Sequence, residues 1–142
     1  MTAHTISDEL SNHFHIFWDN FPFPVMLTHK DRTILDRNKA AEAAGYGVNS
    51  KCSDLGPKEA HKGCRANKAL NEQKAERVVG YIAMAEAVLD SYWVPLAGHE
   101  DLYLHFSIDI TPYPAAKIAR AWNSFLRGLK LAAITQATAM PK

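Results

Sequence analysis

The sequence has few cysteines, no long apolar run and no excess of charge of one sign. Two cysteines among 142 residues are too few for a disulfide framework. No apolar run approaches the roughly 18 residues that a membrane-spanning helix needs. The first residues, MTAHTISDEL, lack the basic and apolar regions of a signal peptide. These absences predict a cytoplasmic protein that does not enter a membrane. The formal net charge of +1 argues against a nucleic-acid-binding domain, which would show a clear basic excess.

The composition is otherwise that of an ordinary globular chain, with 47% apolar and 22% charged residues. A chain of this length is expected to form one domain that buries roughly two-thirds of its unfolded surface. We find no internal repeat that would indicate a repeat architecture.

An apolar stripe near the start predicts an amphipathic helix. Its members recur at spacings of four, four, three and one: Ile6, Leu10, Phe14, Phe17 and Trp18. Pro22 and Pro24 end the helix and require an extended chain behind it. We expect this helix to cover a sheet or to pack against a second copy of the chain.

Residues 24–46 predict a β-hairpin followed directly by a short helix. Two apolar runs, 25–27 and 33–35, are joined by the polar turn 29–32. Asn38 follows the second run and is a good N-cap for the alanine-rich helix 39–44, which Gly45 is well placed to end.

The middle of the chain predicts loops over residues 47–60 and a helix over 61–74. Three strands are then expected at 78–84, 87–96 and 102–110, with a turn at 98–101 between the last two. Alternation is cleanest in the last strand, where Tyr103, His105 and Asp109 share one face.

A second amphipathic helix is expected from Ala115 onwards. Its apolar positions are Ile118, Trp122, Phe125 and Leu129. No acidic residue follows Asp109, so every charged residue of this helix is basic. A solvated basic face, a dimer helix and a helix that docks on an acidic partner are all compatible with this pattern.

Two segments resemble the PAS domain. FPFPVMLTHKDRTILDRNKAAEAAGYG is similar to the PAS opening, with Asn38 at the usual Asn, and YLHFSIDITPY is similar to the last PAS strand. The resemblance covers about residues 20–113. It implies an α+β, PAS-like fold: a five-stranded antiparallel sheet with short central helices and flanking N- and C-terminal helices. The expected organisation is a helix at 1–20, a PAS-like domain at 21–113, and a helix with a tail at 114–142.

The resemblance implies a sensor or interaction module in signal transduction. Such modules bind a small ligand, haem, flavin or metal between the sheet and the central helices, or they dimerise. We expect a homodimer formed through the terminal helices, and a signalling protein as a further partner. The alternative is a small α+β-barrel enzyme of the isomerase or hydratase type, with His105 or His61 paired with Asp109 as acid and base.

The sharpest chemical motif is KCSDLGPKEAHKGC, which contains Cys52, His61 and Cys64. On a helix, the i, i+3 spacing of His61 and Cys64 places them on one side, and Cys52 can fold back from the loop. Thiolate and imidazole are ligands for zinc or iron. Three alternatives stay open: a bound metal or iron–sulfur cluster, a reversible Cys52–Cys64 disulfide, and two buried thiols without chemistry.

The resemblance adds His61 as a candidate haem ligand, since haem-binding PAS proteins use a His of the central helix. Flavin photochemistry is disfavoured because GCRANKAL lacks most of the flavin-adduct motif. Tyr103 and His105 are candidates for orienting a small ligand, although such residues also occur as plain packing.

Overall fold

The computed structural model describes residues 4–56 and 58–113. The C-terminal helix expected from Ala115 onwards lies outside the described residues.

The described chain forms one five-stranded sheet with three short α-helices. The helices are α1 (Asp8–Trp18), α2 (Lys39–Ala43) and α3 (Ala66–Glu72). The strands are β1 (Val25–His29), β2 (Ile34–Arg37), β3 (Glu76–Ile82), β4 (Ala87–Leu96) and β5 (His99–Asp109). Single 3₁₀ turns lie at Cys52–Asp54, Lys58–His61 and Ala83–Ala85. The strand order is β2-β1-β5-β4-β3, and all four pairings are antiparallel. The predicted PAS-like α+β fold class is confirmed.

The predicted helix over 61–74 is wrong at its start. Residues 58–61 form a 3₁₀ turn, the Cys64 N–H donates to the His61 carbonyl at 3.1 Å, and α3 begins only at Ala66. Gly63 lies in this stretch, and glycine is a poor helix former. His61 and Cys64 therefore do not share the face of an α-helix.

The predicted turn at 98–101 is also too long. Strand β5 starts at His99, because Gly98 adopts φ +80° and reverses the chain within a shorter turn. The remaining strands match their predicted positions within two or three residues.

Alternation along the strands gives the sheet two apolar faces. On the outer face, Val25, Leu27 and Leu104 pack against Phe14 of α1. The inner face carries the short helices and the loop between α2 and α3. The side chains that pack there are Met26, Ile34, Ala41, Cys52, Ala66, Ala69, Trp93 and Tyr103.

Asn38 joins three elements through its fully buried side chain. Its Oδ1 accepts from the backbone N–H groups of Val25 and Ala41, each at 2.9 Å, which caps α2 and fixes the start of β1. Its Nδ2 donates to the carbonyl oxygens of Trp18 and Phe23, both at 3.0 Å, and more weakly to that of Phe21. One amide thus holds the end of α1, the proline-containing connection and α2 together.

Polar side chains also tie α1 to the hairpin. The Ser11 hydroxyl donates to Asp36 Oδ2 at 2.6 Å. His15 lies between Asp19 Oδ1 at 2.8 Å and Asp36 Oδ1 at 3.2 Å, and hydrogen bonding to Asp19 raises the pKa of its imidazole. The His15 imidazole therefore bridges the end of α1 and β2 between two carboxylates.

Removing the Asn38 amide is expected to destabilise the fold strongly. Asn38→Ala leaves buried N–H and carbonyl groups without partners, which costs about 2–4 kcal/mol of unfolding free energy. Asn38→Asp keeps the shape and the acceptor but turns an oxygen toward the three carbonyls. At pH 7, the unfolding free energy of Asn38→Asp should fall by an amount comparable to that of Asn38→Ala. At low pH part of this loss should be recovered, because the protonated carboxyl group can donate a hydrogen bond to a carbonyl oxygen.

Urea denaturation at pH 7 and pH 4 measures the unfolding free energy of both variants. The control is Asn12→Ala at an exposed position of α1, where we expect a change within about 0.5 kcal/mol. Equal stabilities of Asn38→Ala and the parent chain would contradict the role assigned to this amide.

Candidate ligand-binding site on the inner face

Strands β4 and β5 bring Trp93, Tyr103 and His105 onto the inner face beneath α3. Trp93 and His105 are cross-strand partners, and their rings stack with centroids 4.8 Å apart and planes 14° apart. The period of two along β5 places Tyr103 on the same face, where it is fully buried against Ala66 and Ala69. The predicted grouping of Tyr103 with His105 follows from this alternation.

The hydrogen bonding of His105 determines which ring nitrogen is available. Its Nδ1 lies 2.8 Å from the carbonyl oxygen of Tyr92. A carbonyl only accepts, so Nδ1 carries the proton and donates, and Nε2 holds the lone pair in the neutral ring. Burial lowers the pKa of the His105 imidazole, and the charges of His61 and Arg32 lower it further. At neutral pH, His105 is thus a neutral ring with an acceptor nitrogen.

Tyr103 and Cys52 are neighbours on the same face. The Cys52 sulfur lies 3.9 Å from the Tyr103 hydroxyl. Burial raises the pKa of the Cys52 thiol and also that of the Tyr103 hydroxyl. Both groups are therefore protonated at neutral pH, so Cys52 is a thiol rather than the thiolate that binds metals or attacks disulfides.

His61 and Cys64 lie beside this group without completing a metal site with it. His61 Nε2 lies 2.7 Å from the Leu55 carbonyl and so donates to it, while Cys64 is half-buried and packs beside α3. In the described part of the chain, the three side chains whose ligand atoms all lie within 4.8 Å of one another are not these but His4, His29 and Asp31. The Cys52–His61–Cys64 metal site stays a prediction.

Sequence reasoning missed three inner-face residues, Arg32, Trp93 and Thr28. The Arg32 guanidinium lies 6.0 Å from the Tyr103 ring centroid and donates to Asn67 Oδ1 at 2.8 Å. Thr28, the cross-strand partner of Tyr103, is fully buried, and its hydroxyl oxygen has no hydrogen-bond partner among the described residues. These placements depend on strand register, which no local pattern specifies.

The enzyme alternative gains no support from the arrangement. His105 and Asp109 are four residues apart on β5, and a strand rises about 3.4 Å per residue, which separates them by about 14 Å. Asp109 is exposed, and its Oδ1 accepts from the Thr111 N–H at 2.8 Å. This pair is too far apart to share a proton directly.

A second feature lies on the outer face, where α1 meets β1, β4 and β5. It is an apolar groove of about 430 Å³, and we call it the outer groove. Its lining residues are Leu10, His13, Phe14, Phe17, Trp18, Leu27, Leu96 and Leu104. Phe17 is 75% exposed and the adjacent Ile16 is 73% exposed. The outer groove is therefore open to solvent at Phe17, with Ile16 exposed next to it in the chain.

No helix among the described residues is long and apolar enough to cross a membrane.

Neither a protein-family profile nor a curated protein matches the chain. Solved structures do. The crystal structure of a domain of an HTR-like protein from Haloarcula marismortui ATCC 43049 aligns with a TM-score of 0.54 and 21% identity, over 63% of this chain and 99% of that one. The PAS domain of Bordetella pertussis BvgS aligns with a TM-score of 0.49 and 18% identity, over 84% and 99%. A PAS domain of an HTR-like protein from Haloarcula marismortui gives 0.44 and 18%, over 72% and 93%.

Identities this low establish a shared fold and no shared ligand. The first alignment, together with the strand order β2-β1-β5-β4-β3, supports the PAS-like architecture.

The two thiols should differ in reactivity. Cys52 is 7% exposed with a raised pKa, whereas Cys64 is half-buried. Two single-cysteine variants compare the thiols: Cys64→Ala keeps Cys52, and Cys52→Ala keeps Cys64. At pH 8, Cys52 should react with a disulfide reagent at least about tenfold more slowly than Cys64, because the chain around Cys52 must first open locally. Labelling in denaturant is the control and should remove the difference. Equal native rates would show that Cys52 is not enclosed.

Proposed function

We propose that this chain is a sensor and interaction module that binds a small ligand on its inner face and associates through its outer face. The observation that supports it is the His105 ring, stacked on Trp93 and held with Nε2 as an acceptor. A half-buried, neutral imidazole in a fixed tautomer is suited to orienting a ligand. The Tyr103 hydroxyl and the Thr28 hydroxyl are further polar groups on the same face.

The ligand class follows from these groups. Nε2 of His105 can accept from an N–H or O–H of a small organic molecule, and it can also bind a metal or haem iron. A histidine whose other N–H is held by a backbone carbonyl is the usual arrangement for a metal ligand. His105 would then supply one ligand to a metal-containing group, with Tyr103 on the same face of the sheet.

The cysteine motif provides a further version of the proposal. Cys52, His61 and Cys64 would bind zinc, iron or an iron–sulfur cluster, or Cys52 and Cys64 would form a redox disulfide. Both versions need the Cys52 thiol to lose its proton, which its burial opposes. The inner-face ligand does not need this, and we favour it.

We propose that the outer groove is where two copies associate. One chain carries both the projecting side chains, Ile16 and Phe17, and the apolar groove beside them. A two-fold axis would bring each pair onto the partner's groove, which is the self-complementary geometry of an isologous dimer. In the proposed organisation, residues 1–20 supply this interface and the helix predicted at 114–142 extends it or contacts a signalling protein.

The first test is ligand retention. The purified chain is expected to hold a small molecule or metal, detectable by native mass spectrometry and elemental analysis. His105→Ala should lower its occupancy at least about tenfold, because the fixed acceptor is lost. His99→Ala, an exposed histidine at the start of β5, is the matched control and should retain it. A fully loaded His105→Ala protein would contradict the proposed site.

The second test is mass in solution. Phe17→Glu places a charge in the outer groove and should reduce a dimer to the mass of one chain, as measured by light scattering after gel filtration. Val48→Glu, on an exposed apolar residue that does not line the groove, should leave the dimer intact. A parent chain that is monomeric at high micromolar concentration would contradict this interface.

A further inference from the structure

Three ligand-type side chains meet where the segment preceding α1 crosses the β1–β2 turn. They are His4, His29 and Asp31, and we call them the histidine–aspartate cluster. His4 Nε2 lies 3.2 Å from Asp31 Oδ2, and His29 Nδ1 lies 2.9 Å from Asp31 Oδ1. The two imidazoles are stacked, with centroids 3.7 Å apart and planes 28° apart. One nitrogen of each ring is thus directed at the same carboxylate.

We propose that the histidine–aspartate cluster is a zinc-type divalent metal site, with ligands His4 Nε2, His29 Nδ1 and the Asp31 carboxylate. Ligand atoms about 2.0–2.1 Å from a tetrahedral zinc ion lie about 3.3 Å from one another. The imidazole nitrogens lie 3.2 Å from Asp31 Oδ2 and 2.9 Å from Asp31 Oδ1, one to each carboxylate oxygen, and the ligand atoms of the three side chains all lie within 4.8 Å of one another. Three protein ligands leave the fourth position to water, as in other open zinc sites.

Binding would replace the contacts of the two imidazoles with the Asp31 carboxylate by metal–ligand bonds, using the lone pairs of His4 Nε2 and His29 Nδ1. The Asp31 backbone N–H already donates to His29 Nδ1 at 3.4 Å, which places a lone pair on that nitrogen. The Asp31 carboxylate is held in place, since the Thr33 N–H donates to its Oδ1 at 2.9 Å.

The Lys51 ammonium opposes a cation at the cluster, but it has other acceptors. It lies 2.7 Å from Asp31 Oδ2, 2.9 Å from the Asp31 carbonyl oxygen and 2.8 Å from Thr33 Oγ1. A carboxylate has two oxygens with about four acceptor positions. The carboxylate can therefore bind the ion while its contacts with Lys51 persist.

The site would fasten the chain ahead of α1 to the hairpin. His4 precedes α1, and His29 and Asp31 belong to the end of β1 and its turn. A bound ion therefore restrains α1 against the sheet from the end opposite to Asn38. This inference is independent of the inner-face ligand, because it uses none of the same residues.

Zinc and cobalt titrations of the purified full chain test the site. We expect one zinc ion per chain by isothermal titration calorimetry and a higher melting temperature in its presence. His4→Ala and His29→Ala should each weaken binding at least about tenfold, as loss of a ligand does. His4 is partly exposed, so His4→Ala tests the site even if His29→Ala folds poorly. His99→Ala, at an exposed histidine of β5, is the matched control.

Cobalt separates this site from the cysteine motif. Imidazole and carboxylate ligands give only weak visible bands, whereas thiolates add strong near-ultraviolet absorption. The double variant Cys52→Ala, Cys64→Ala should keep the zinc affinity and the cobalt spectrum of the parent chain. Unchanged affinity in His4→Ala, loss of binding in the cysteine double variant, or no binding at high micromolar zinc would each overturn the proposal.

Discussion

The hydrogen bonds of the Asn38 side chain are the interaction on which the rest of the structure depends. They connect the last turn of α1, the start of β1 and the first turn of α2 at a point from which water is excluded. A buried amide with every donor and acceptor matched tolerates only one arrangement of its neighbours. The position of α1 is thereby coupled to β1, the strand that has the outer groove on one side and Thr28 on the other.

The parts of the fold predicted correctly are those with a local physical cause. Asn38 was predicted as an N-cap because a short polar side chain satisfies free N–H groups wherever a helix starts. The alternation of apolar and polar residues over 102–110 predicted β5, because successive side chains of a strand point to opposite faces of the sheet. The start of α3 was missed, since Gly63 weakens a helix that the apolar spacing alone favoured.

The candidate sites were predicted less completely because they depend on contacts between distant residues. The two-residue period of a strand predicted that Tyr103 and His105 share a face. The contact of Trp93 with His105 depends on the register between β4 and β5, which the sequence pattern does not specify. The stacking of His4 on His29 requires the N-terminal segment to dock on a turn 25 residues away. No spacing rule predicts such an approach, whereas Cys52, His61 and Cys64 drew attention by their proximity in sequence.

The two outer strands of the sheet are not equivalent. The far side of β2 is occupied, since the Ile34 N–H donates to the Ser50 carbonyl and the Ile34 carbonyl accepts from the Asn49 N–H. Within the described residues, no strand lies beyond β3, and Val79 and Tyr81 on it are 51% and 45% exposed. A seven-residue edge of this kind can accept another extended chain through backbone hydrogen bonds. Among the described residues, it is therefore β3, and not β2, whose outer side leaves backbone groups available for strand addition.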